Sequence, residues 1–250
     1  MQDEYGIIGF PLKTTFSPTY FNNKFATENI DAIYKANPII NIEEFPQLIK
    51  NNPNLKGLSV TIPYKETVIK YLDTIGANAA KIGAVNCIKI KNGKTTGYNT
   101  DVIGFELSLK PLLKAQHNKA LVLGNGGAAK AVKFVLNKLG IAITTVSRNK
   151  NKTFQNKEIE TINYEELTEN IINEHLLIIN TTPLGMYPDV DSFPAIPYNV
   201  IGNNHLLYDL IYKPEITTFL AKGKQCNAII KNGYEMLLLQ ADAAWKIWTQ

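Results

Sequence analysis

The chain has 250 residues, enough for one large or two modest domains that each bury a core. Charged residues make up 19% of it, the net charge is +4, and no basic run indicates nucleic acid as a partner. Two distant cysteines, Cys87 and Cys226, indicate neither a disulfide framework nor a zinc site. Since no segment resembles a signal peptide or a membrane span, we expect a soluble cytoplasmic protein without metal.

The first hundred residues alternate between strand and helix patterns. Strands are predicted over residues 5–10, 32–40 and 55–62, and Ser17-Pro18 predicts a helix cap followed by a helix to about residue 29. Further helices are predicted over 42–50 and from Lys65. Alternating residues around Lys-Asn-Gly-Lys predict a hairpin within 84–100, and a helix follows over 101–113.

Residues 119–148 have the pattern strand, glycine turn, helix, strand. An apolar run over 120–123 precedes Gly-Asn-Gly-Gly, and from Ala128 the apolar residues follow the spacing of one helix face. Gly140 is a plausible stop, and residues 141–146 form the next strand. This order places the N–H groups of a helix terminus at a strand end, which favours a diphosphate site. A tight turn without ligand is the alternative.

The segment after that second strand, Ser147-Arg148-Asn149-Lys150-Asn151-Lys152, carries cations and no carboxylate. An NAD-binding fold usually places an acidic residue here for the ribose 2′-hydroxyl. Arg148 is suited to a 2′-phosphate, and Lys150 or Lys152 can add charge. The segment favours NADP(H) over NAD(H), the alternative being an ordinary solvated basic loop.

The remaining chain continues the alternation. Helices are predicted over 164–173, from 214, and over 234–248, with strands over 176–180, 206–211 and 228–230. Residues 183–197 hold four prolines without periodicity and predict a loop. We therefore expect an α/β protein: a substrate domain over 1–101, to which 231–250 returns, and a Rossmann-type domain over 102–230. Ligands of such folds bind at the carboxyl ends of strands, and clefts between domains are common sites.

Lys65 and Asp101 are the best acid–base candidates, because no histidine lies near a motif. Each follows a change of structure, where a side chain can project toward a ligand. An ammonium can stabilise a developing alkoxide and donate its proton, and a carboxylate can hold and tune it. The alternatives are an exposed lysine and a helix-capping aspartate.

Eight motifs resemble the shikimate dehydrogenase family in the family's order. They are GFPLKTTFSP (9–18), SVTIPYKE (59–66), GAVN (83–86), NTD (99–101), GNGGAA (124–129), NTTPLGM (180–186), YDLIY (208–212) and NGYEMLLLQA (232–241). The resemblance covers nearly the whole chain. It implies NADP-dependent interconversion of 3-dehydroshikimate and shikimate, the fourth step of chorismate and aromatic amino acid biosynthesis.

The resemblance also implies roles for single residues. Lys65 and Asp101 become the catalytic pair, and Thr15 and Ser17 bind the substrate carboxylate. The hydroxyls of the substrate, or groups next to them, are expected to bind Thr61, Asn86, Tyr212 and Gln240. The diphosphate is surrounded by Gly124, Asn125, Gly126, Gly127, Ala128 and Ala129. The adenosine phosphate falls to Ser147, Arg148 and Lys152, and the nicotinamide end to Leu210 and Gly233.

Gln240 has independent support, because it lies on the apolar stripe of the last predicted helix. A buried amide there needs either backbone groups or a polyol as its partner. Thr15, Ser59 and Asn125 depart from the usual family pattern. Two rivals stay open: a quinate/shikimate dehydrogenase that uses NAD, and a catalytically silent NADP-binding sensor. The expected partner is a small molecule, without nucleic acid or membrane, and the state is monomer or homodimer.

Overall fold

The computed structural model describes residues 2–12, 16–148 and 160–250. The chain divides into two compact units, the first comprising Met1–Thr100 with Gln240–Gln250 and the second Asp101–Leu239. Each unit is built on one six-stranded sheet with helices, so the α/β class is confirmed. No helix in these ranges combines the length and the apolar character needed to cross a bilayer.

The sheet of the first unit mixes parallel and antiparallel strands. Its strands are β1 (Asp3–Gly9), β2 (Ala32–Pro38), β3 (Leu55–Val60), β4 (Thr74–Ile75), β5 (Cys87–Lys91) and β6 (Lys94–Tyr98), in the order β2-β1-β3-β5-β6-β4. β1 pairs in parallel with β2 and β3. β5 and β6 form the predicted hairpin, whose Asn92 and Gly93 have φ of 53° and 72°. Positive φ at both residues suits the twist of a two-residue hairpin turn.

The helices of the first unit are α1 (Phe16–Thr27), α2 (Phe45–Asn51) and α3 (Ala77–Ile82). α1 begins before Ser17, so the predicted capping role of Ser17 is wrong and the residue lies in the first turn. The helix predicted from Lys65 is also wrong, because a turn leads to a 3₁₀ helix at Thr67–Tyr71. The Lys65 carbonyl accepts a hydrogen bond from Val85 N–H at 2.7 Å, outside any helix.

Residues from the end of the chain complete the core of the first unit. Trp248, in α8 (Tyr234–Thr249), packs with Tyr5, Phe21 and Tyr34 in an aromatic cluster. Its indole N–H donates to the Ile88 carbonyl at 3.0 Å. Gly57 leaves the space that the indole occupies, because a Cβ there would lie 2.5 Å from the ring. The last turns of α8 therefore belong to this core.

The sheet of the second unit is entirely parallel. Its strands are β7 (Lys119–Leu123), β8 (Ala142–Val146), β9 (Glu160–Ile162), β10 (Leu177–Asn180), β11 (Leu206–Asp209) and β12 (Ile229–Lys231), in the order β12-β11-β10-β7-β8-β9. The direction of strand succession reverses at β7, between β10 and β8. Such a switch point opens a crevice at the carboxyl ends of the strands, where doubly wound sheets bind ligands.

The helices of the second unit are α4 (Asp101–Leu109), α5 (Gly127–Lys138), α6 (Glu169–Glu174) and α7 (Thr218–Gln225), and α8 begins here. Gly140, with φ of 70°, follows α5 as predicted. The helix predicted over 164–173 is divided, because Thr168 caps a new helix by accepting a hydrogen bond from Ile171 N–H. Thr217 caps α7 in the same way, so that helix starts later than Pro214.

Candidate functional site

In the first unit, the turn that follows β3 positions Thr61 and Lys65. Thr61 N–H donates to the Ile8 carbonyl at 2.9 Å, and Tyr64 N–H donates to the Thr61 carbonyl at 2.9 Å. With the bond from Val85 to the Lys65 carbonyl, the turn is held at both ends. Both Thr61 and Lys65 are half-buried. Because the backbone of this turn is already fixed, ligand binding would need to order only the side chain of Lys65.

Next to this turn, Thr100 joins Asn86 to Gln240. Thr100 N–H donates to Asn86 Oδ1 at 2.6 Å, and Asn86 Nδ2 donates to Thr100 Oγ1 at 3.0 Å. The single proton of the Thr100 hydroxyl is shared between Asn86 Oδ1 at 3.2 Å and Gln240 Oε1 at 3.4 Å. Asn86 is also tied to β3, because its carbonyl accepts from Val60 N–H at 2.8 Å. The first unit thus brings Asn86 and Gln240 together, and a threonine that the sequence did not single out orients both amides.

Ser17 lies in a second hydroxyl cluster of the first unit. It is only 8% exposed and is hydrogen-bonded to the Tyr34 hydroxyl, which donates to Ser59 Oγ at 2.8 Å. Burial raises the pKa of Tyr34, although the bonds to the two serines oppose that shift. The phenol therefore stays neutral and can hold both serine side chains in place. Thr15, the other predicted carboxylate ligand, lies outside the described residues.

In the second unit, Asp101 is the first residue of α4 and is 7% exposed. It directly follows Thr100, whose backbone and hydroxyl are fixed by Asn86. A carboxylate in the first turn of a helix is favoured by the helix dipole. The helix start therefore fixes the backbone position from which the carboxylate of Asp101 projects.

The glycine turn between β7 and α5 combines a tight backbone with free space. Gly124 has φ of +106°, and a Cβ there would lie 2.6 Å from Thr181 Oγ1. Gly126 precedes the first residue of α5, and a Cβ there would meet nothing within 4 Å. The turn therefore leaves room for a ligand against the N-terminus of a twelve-residue helix, as a dinucleotide diphosphate requires. Gly127, Ala128 and Ala129 follow as the small first residues of that helix.

A buried polar network beneath the glycine turn was missed by the sequence prediction. Asp209, fully buried at the end of β11, accepts hydrogen bonds from Asn180 Nδ2, Ile211 N–H and the Thr217 hydroxyl. Thr181 links this region to β7 by donating from its hydroxyl to the Leu123 carbonyl at 2.7 Å. Burial raises the pKa of Asp209 to about 6, against the effect of its three donors. The signal was present, since polar residues end two neighbouring parallel strands.

The residues assigned to the nicotinamide end lie close together in the second unit. Gly233 N–H donates to the Ile211 carbonyl at 3.0 Å, and the Leu210 carbonyl leaves no room for a side chain at Gly233. Leu210 N–H donates to the Asn180 carbonyl at 3.0 Å, which fixes this segment to β10. Tyr212 is half-buried, and burial raises the pKa of its hydroxyl.

The predicted phosphate-binding residues Ser147 and Arg148 directly follow the end of β8. Ser147 N–H donates to the Ile162 carbonyl at 3.0 Å, and Arg148 is exposed immediately after it. Burial raises the pKa of the Tyr164 hydroxyl, and the positive charge of Arg148 opposes that rise. Lys150 and Lys152 lie outside the described residues.

The three histidines have structural partners in the second unit. His117 accepts a hydrogen bond from Lys114 N–H, and His205 accepts one from Gly202 N–H. The ring of His175 bonds to the Ile171 carbonyl and to the Thr144 hydroxyl. All three side chains are buried. Their hydrogen bonds explain their presence in the core without a catalytic role.

Comparison with known proteins shows to which family the chain is similar. A family model of the shikimate dehydrogenase substrate binding domain matches residues 7–88. A relative from Clostridium beijerinckii, named shikimate dehydrogenase (NADP(+)), is 43% identical over 98% of this chain and 92% of its own length.

Solved structures share the fold along the whole chain. The Aquifex aeolicus shikimate dehydrogenase is 37% identical with a TM-score of 0.89, over 99% of this chain and 92% of that one. The Thermus thermophilus shikimate 5-dehydrogenase, solved with NADP(H) and shikimate, is 27% identical with a TM-score of 0.88, over 99% and 94% of the two chains. The identity and the coverage together show that this chain belongs to the shikimate dehydrogenase family.

Proposed function

We propose that this chain catalyses the reversible, NADP-dependent reduction of 3-dehydroshikimate to shikimate, a step in the biosynthesis of aromatic amino acids. The observation that carries the proposal is the 43% identity, over 98% of the chain, to a relative named for this activity. The NADP(H) and shikimate of the Thermus thermophilus structure support the same cofactor and substrate here. The glycine turn supports it independently, because the space beside Gly126 is open at the N-terminus of a helix, where a diphosphate can approach the backbone.

The second unit would hold the cofactor through its own backbone and one arginine. The N–H groups at Gly126 and Gly127 suit the diphosphate, since they begin a helix. Arg148, with Ser147 and Lys152, would bind the 2′-phosphate, because a guanidinium offers paired donors to phosphate oxygens. Leu210 and Gly233 would face the nicotinamide end. When bound, NADPH supplies the hydride for the C3 carbonyl of the substrate.

Lys65 and Asp101 would carry the proton chemistry. As hydride reaches C3, negative charge develops on the carbonyl oxygen, and the Lys65 ammonium stabilises this charge and donates its proton. The Asp101 carboxylate would hold the ammonium in position through a charge-assisted hydrogen bond. The fixed turn around Lys65 supports this role, since a rigid backbone limits where the ammonium can go.

The substrate would be bound through its carboxylate and hydroxyls. Thr15 and Ser17 would bind the carboxylate, and the hydrogen bond between the Ser17 side chain and the Tyr34 hydroxyl supports this by holding Ser17 in place. The hydroxyls and neighbouring groups would fall to Thr61, Asn86, Tyr212 and Gln240. In this proposal residues 1–101 with 231–250 form the substrate domain and residues 102–230 the NADP domain, with Tyr212 assigned to the substrate and Gly233 to the cofactor as the two exceptions. The family model of the substrate binding domain supports the first assignment.

Lys65→Ala tests the catalytic role. We expect kcat to fall about 10²-fold or more while the Kd of NADPH stays unchanged, because only proton donation is lost. Stopped-flow turnover and nucleotide fluorescence measure the two quantities. Lys70→Ala is the matched control, since Lys70 lies exposed in the following 3₁₀ helix. Unchanged turnover in a folded Lys65→Ala protein would exclude Lys65 as the acid.

A further inference from the structure

A buried lysine contacts the glycine turn from the interior of α5. Lys133 is 4% exposed, and its Nζ donates to Asn125 Oδ1 at 2.7 Å. Side chains of a helix point toward its N-terminus, which lets a lysine two turns along the helix reach back to the turn. The contact joins Asn125, one of the positions that depart from the usual family pattern, to a charged group inside the fold.

Burial and the helix terminus both disfavour this ammonium. The N-terminal end of a helix carries positive partial charge, so a cation directed toward it is disfavoured. Burial lowers the pKa of Lys133 to about 8, and repulsion from Lys130 adds to the shift. Taking an ammonium out of water costs free energy, which a neutral amide partner offsets only in part. A dianionic ligand at the turn would offset each of these costs.

The bond also determines which way the Asn125 amide faces. Because Oδ1 accepts from the ammonium, the NH₂ group of the same amide is directed away from Lys133. Asn125 is half-buried and lies directly before Gly126, where there is free space. The donor side of the amide can therefore turn to the space in front of the helix N-terminus.

We infer that Lys133 is a positioning residue, which orients the Asn125 amide as a hydrogen-bond donor to the diphosphate of the dinucleotide. The inference rests on the proposed function, since that function places the diphosphate at this turn. It predicts a contribution shared by NADPH and NADH, because both carry the same diphosphate. Arg148 differs in this respect, since its proposed partner is the 2′-phosphate.

The test compares Lys133→Met, Asn125→Ala and the double variant. The Kd of NADPH and of NADH is measured by nucleotide fluorescence, and Tm is measured without cofactor. We expect each single variant to weaken both nucleotides about tenfold, and the double variant to be no worse than either one. Lys133→Met should leave Tm within a few degrees of that of the unaltered protein, because it loses the bond to Asn125 but removes a buried charge.

Two variants calibrate the measurement. Lys138→Met removes another lysine of α5, which is exposed and paired with Glu106, and should change neither Kd. Arg148→Ala should weaken NADPH much more than NADH. These two results separate a diphosphate effect from a general loss of positive charge and from a 2′-phosphate effect.

The outcomes that overturn the inference are distinct. Unchanged Kd values in Lys133→Met would make the lysine purely structural, and additive losses in the double variant would mean that it does not act through Asn125. If Lys133→Met fails to fold, an unchanged Kd of both nucleotides in Asn125→Ala is by itself enough to overturn the inference. If the unaltered protein binds neither nucleotide, the proposed function fails as well.

Discussion

Two glycines of the same turn have different physical requirements. Gly124 needs its positive φ and lies against Thr181, so any side chain there disturbs the fold. Gly126 has φ of −91°, which every residue can adopt, and free space beside it. The fold therefore gives no reason for glycine at position 126, whereas the close approach of a diphosphate to the backbone does.

Gly126→Ala should separate binding from stability. We expect Tm to change by no more than a few degrees, because the added methyl group meets no neighbour. The Kd of NADPH should rise about tenfold or more, since the methyl group would hold the diphosphate away from the helix N–H groups. Titration of nucleotide fluorescence and thermal unfolding measure both. Gly202→Ala, also without neighbours within 4 Å, is the control. Equal affinity in Gly126→Ala would contradict binding at this turn.

Single residues were predictable from the sequence where their chemistry coincides with a change of structure. The positions of Gly126 and Lys65 followed from the strand pattern before them. Lys133 was not predicted, because it lies beside the apolar stripe of α5, where a lysine is usually solvated. Its burial results from tertiary packing, which the residue pattern of a single helix does not predict.

The short strand β4 pairs with β6 through its backbone, and one carboxylate adds to this attachment. Asp73, just before β4, accepts hydrogen bonds from Thr95 N–H at 2.9 Å and from the Thr95 hydroxyl at 2.9 Å. Lys94 donates to its other oxygen at 2.8 Å. The bond from Lys94 and then those from Thr95 hold the pKa of Asp73 at about 2. This carboxylate therefore joins β4 to β6 in its ionised form.

The attachment of β4 should consequently depend on pH. An unfolded aspartate has a pKa of about 3.9, so the folded state favours the ionised form. Its stabilisation is complete above about pH 4 and is lost as the pH falls toward 2. Asp73→Asn should lower Tm at neutral pH, and its difference from the unaltered protein should shrink between pH 4 and pH 2. Thermal unfolding across this range measures it, and a difference that stays constant would contradict the assignment.

Lys94→Met provides the matched variant for that experiment. It keeps Asp73 and its bonds to Thr95 but removes the largest cause of the lowered pKa. The acid-sensitive part of the stability should therefore become smaller and move to higher pH. An unchanged acid profile would mean that Thr95 alone sets the pKa.

Elements with long periodic patterns were predictable, and short ones were not. Apart from β4 and β9, for which no strand was predicted, the strands of both sheets and the long helices α5 and α8 were predicted within a few residues. β4 has two residues and α3 has six, too few for a period to show. The start of α6 was missed because Thr168 and its cap interrupt an apolar pattern that continues across them.

Each unit contains a different group of the residues that the proposed reaction needs. The first fixes Lys65, Asn86 and Gln240 through backbone and Thr100 bonds. The second provides a glycine turn at the switch point of a parallel sheet. The sequence indicated both parts, but the hydrogen bonds through Thr100, Tyr34 and Asp209 join distant segments and could not be derived from local patterns.

The central claim is tested most directly by the initial rate of NADPH formation from shikimate and NADP, followed by absorbance. The comparison uses the purified chain with shikimate or quinate and with NADP or NAD. We expect kcat/KM to be highest for shikimate with NADP, by about tenfold or more over NAD, because only NADP offers Arg148 a 2′-phosphate. No NADPH formation from shikimate, or a faster reaction of quinate with NAD, would contradict the proposed function.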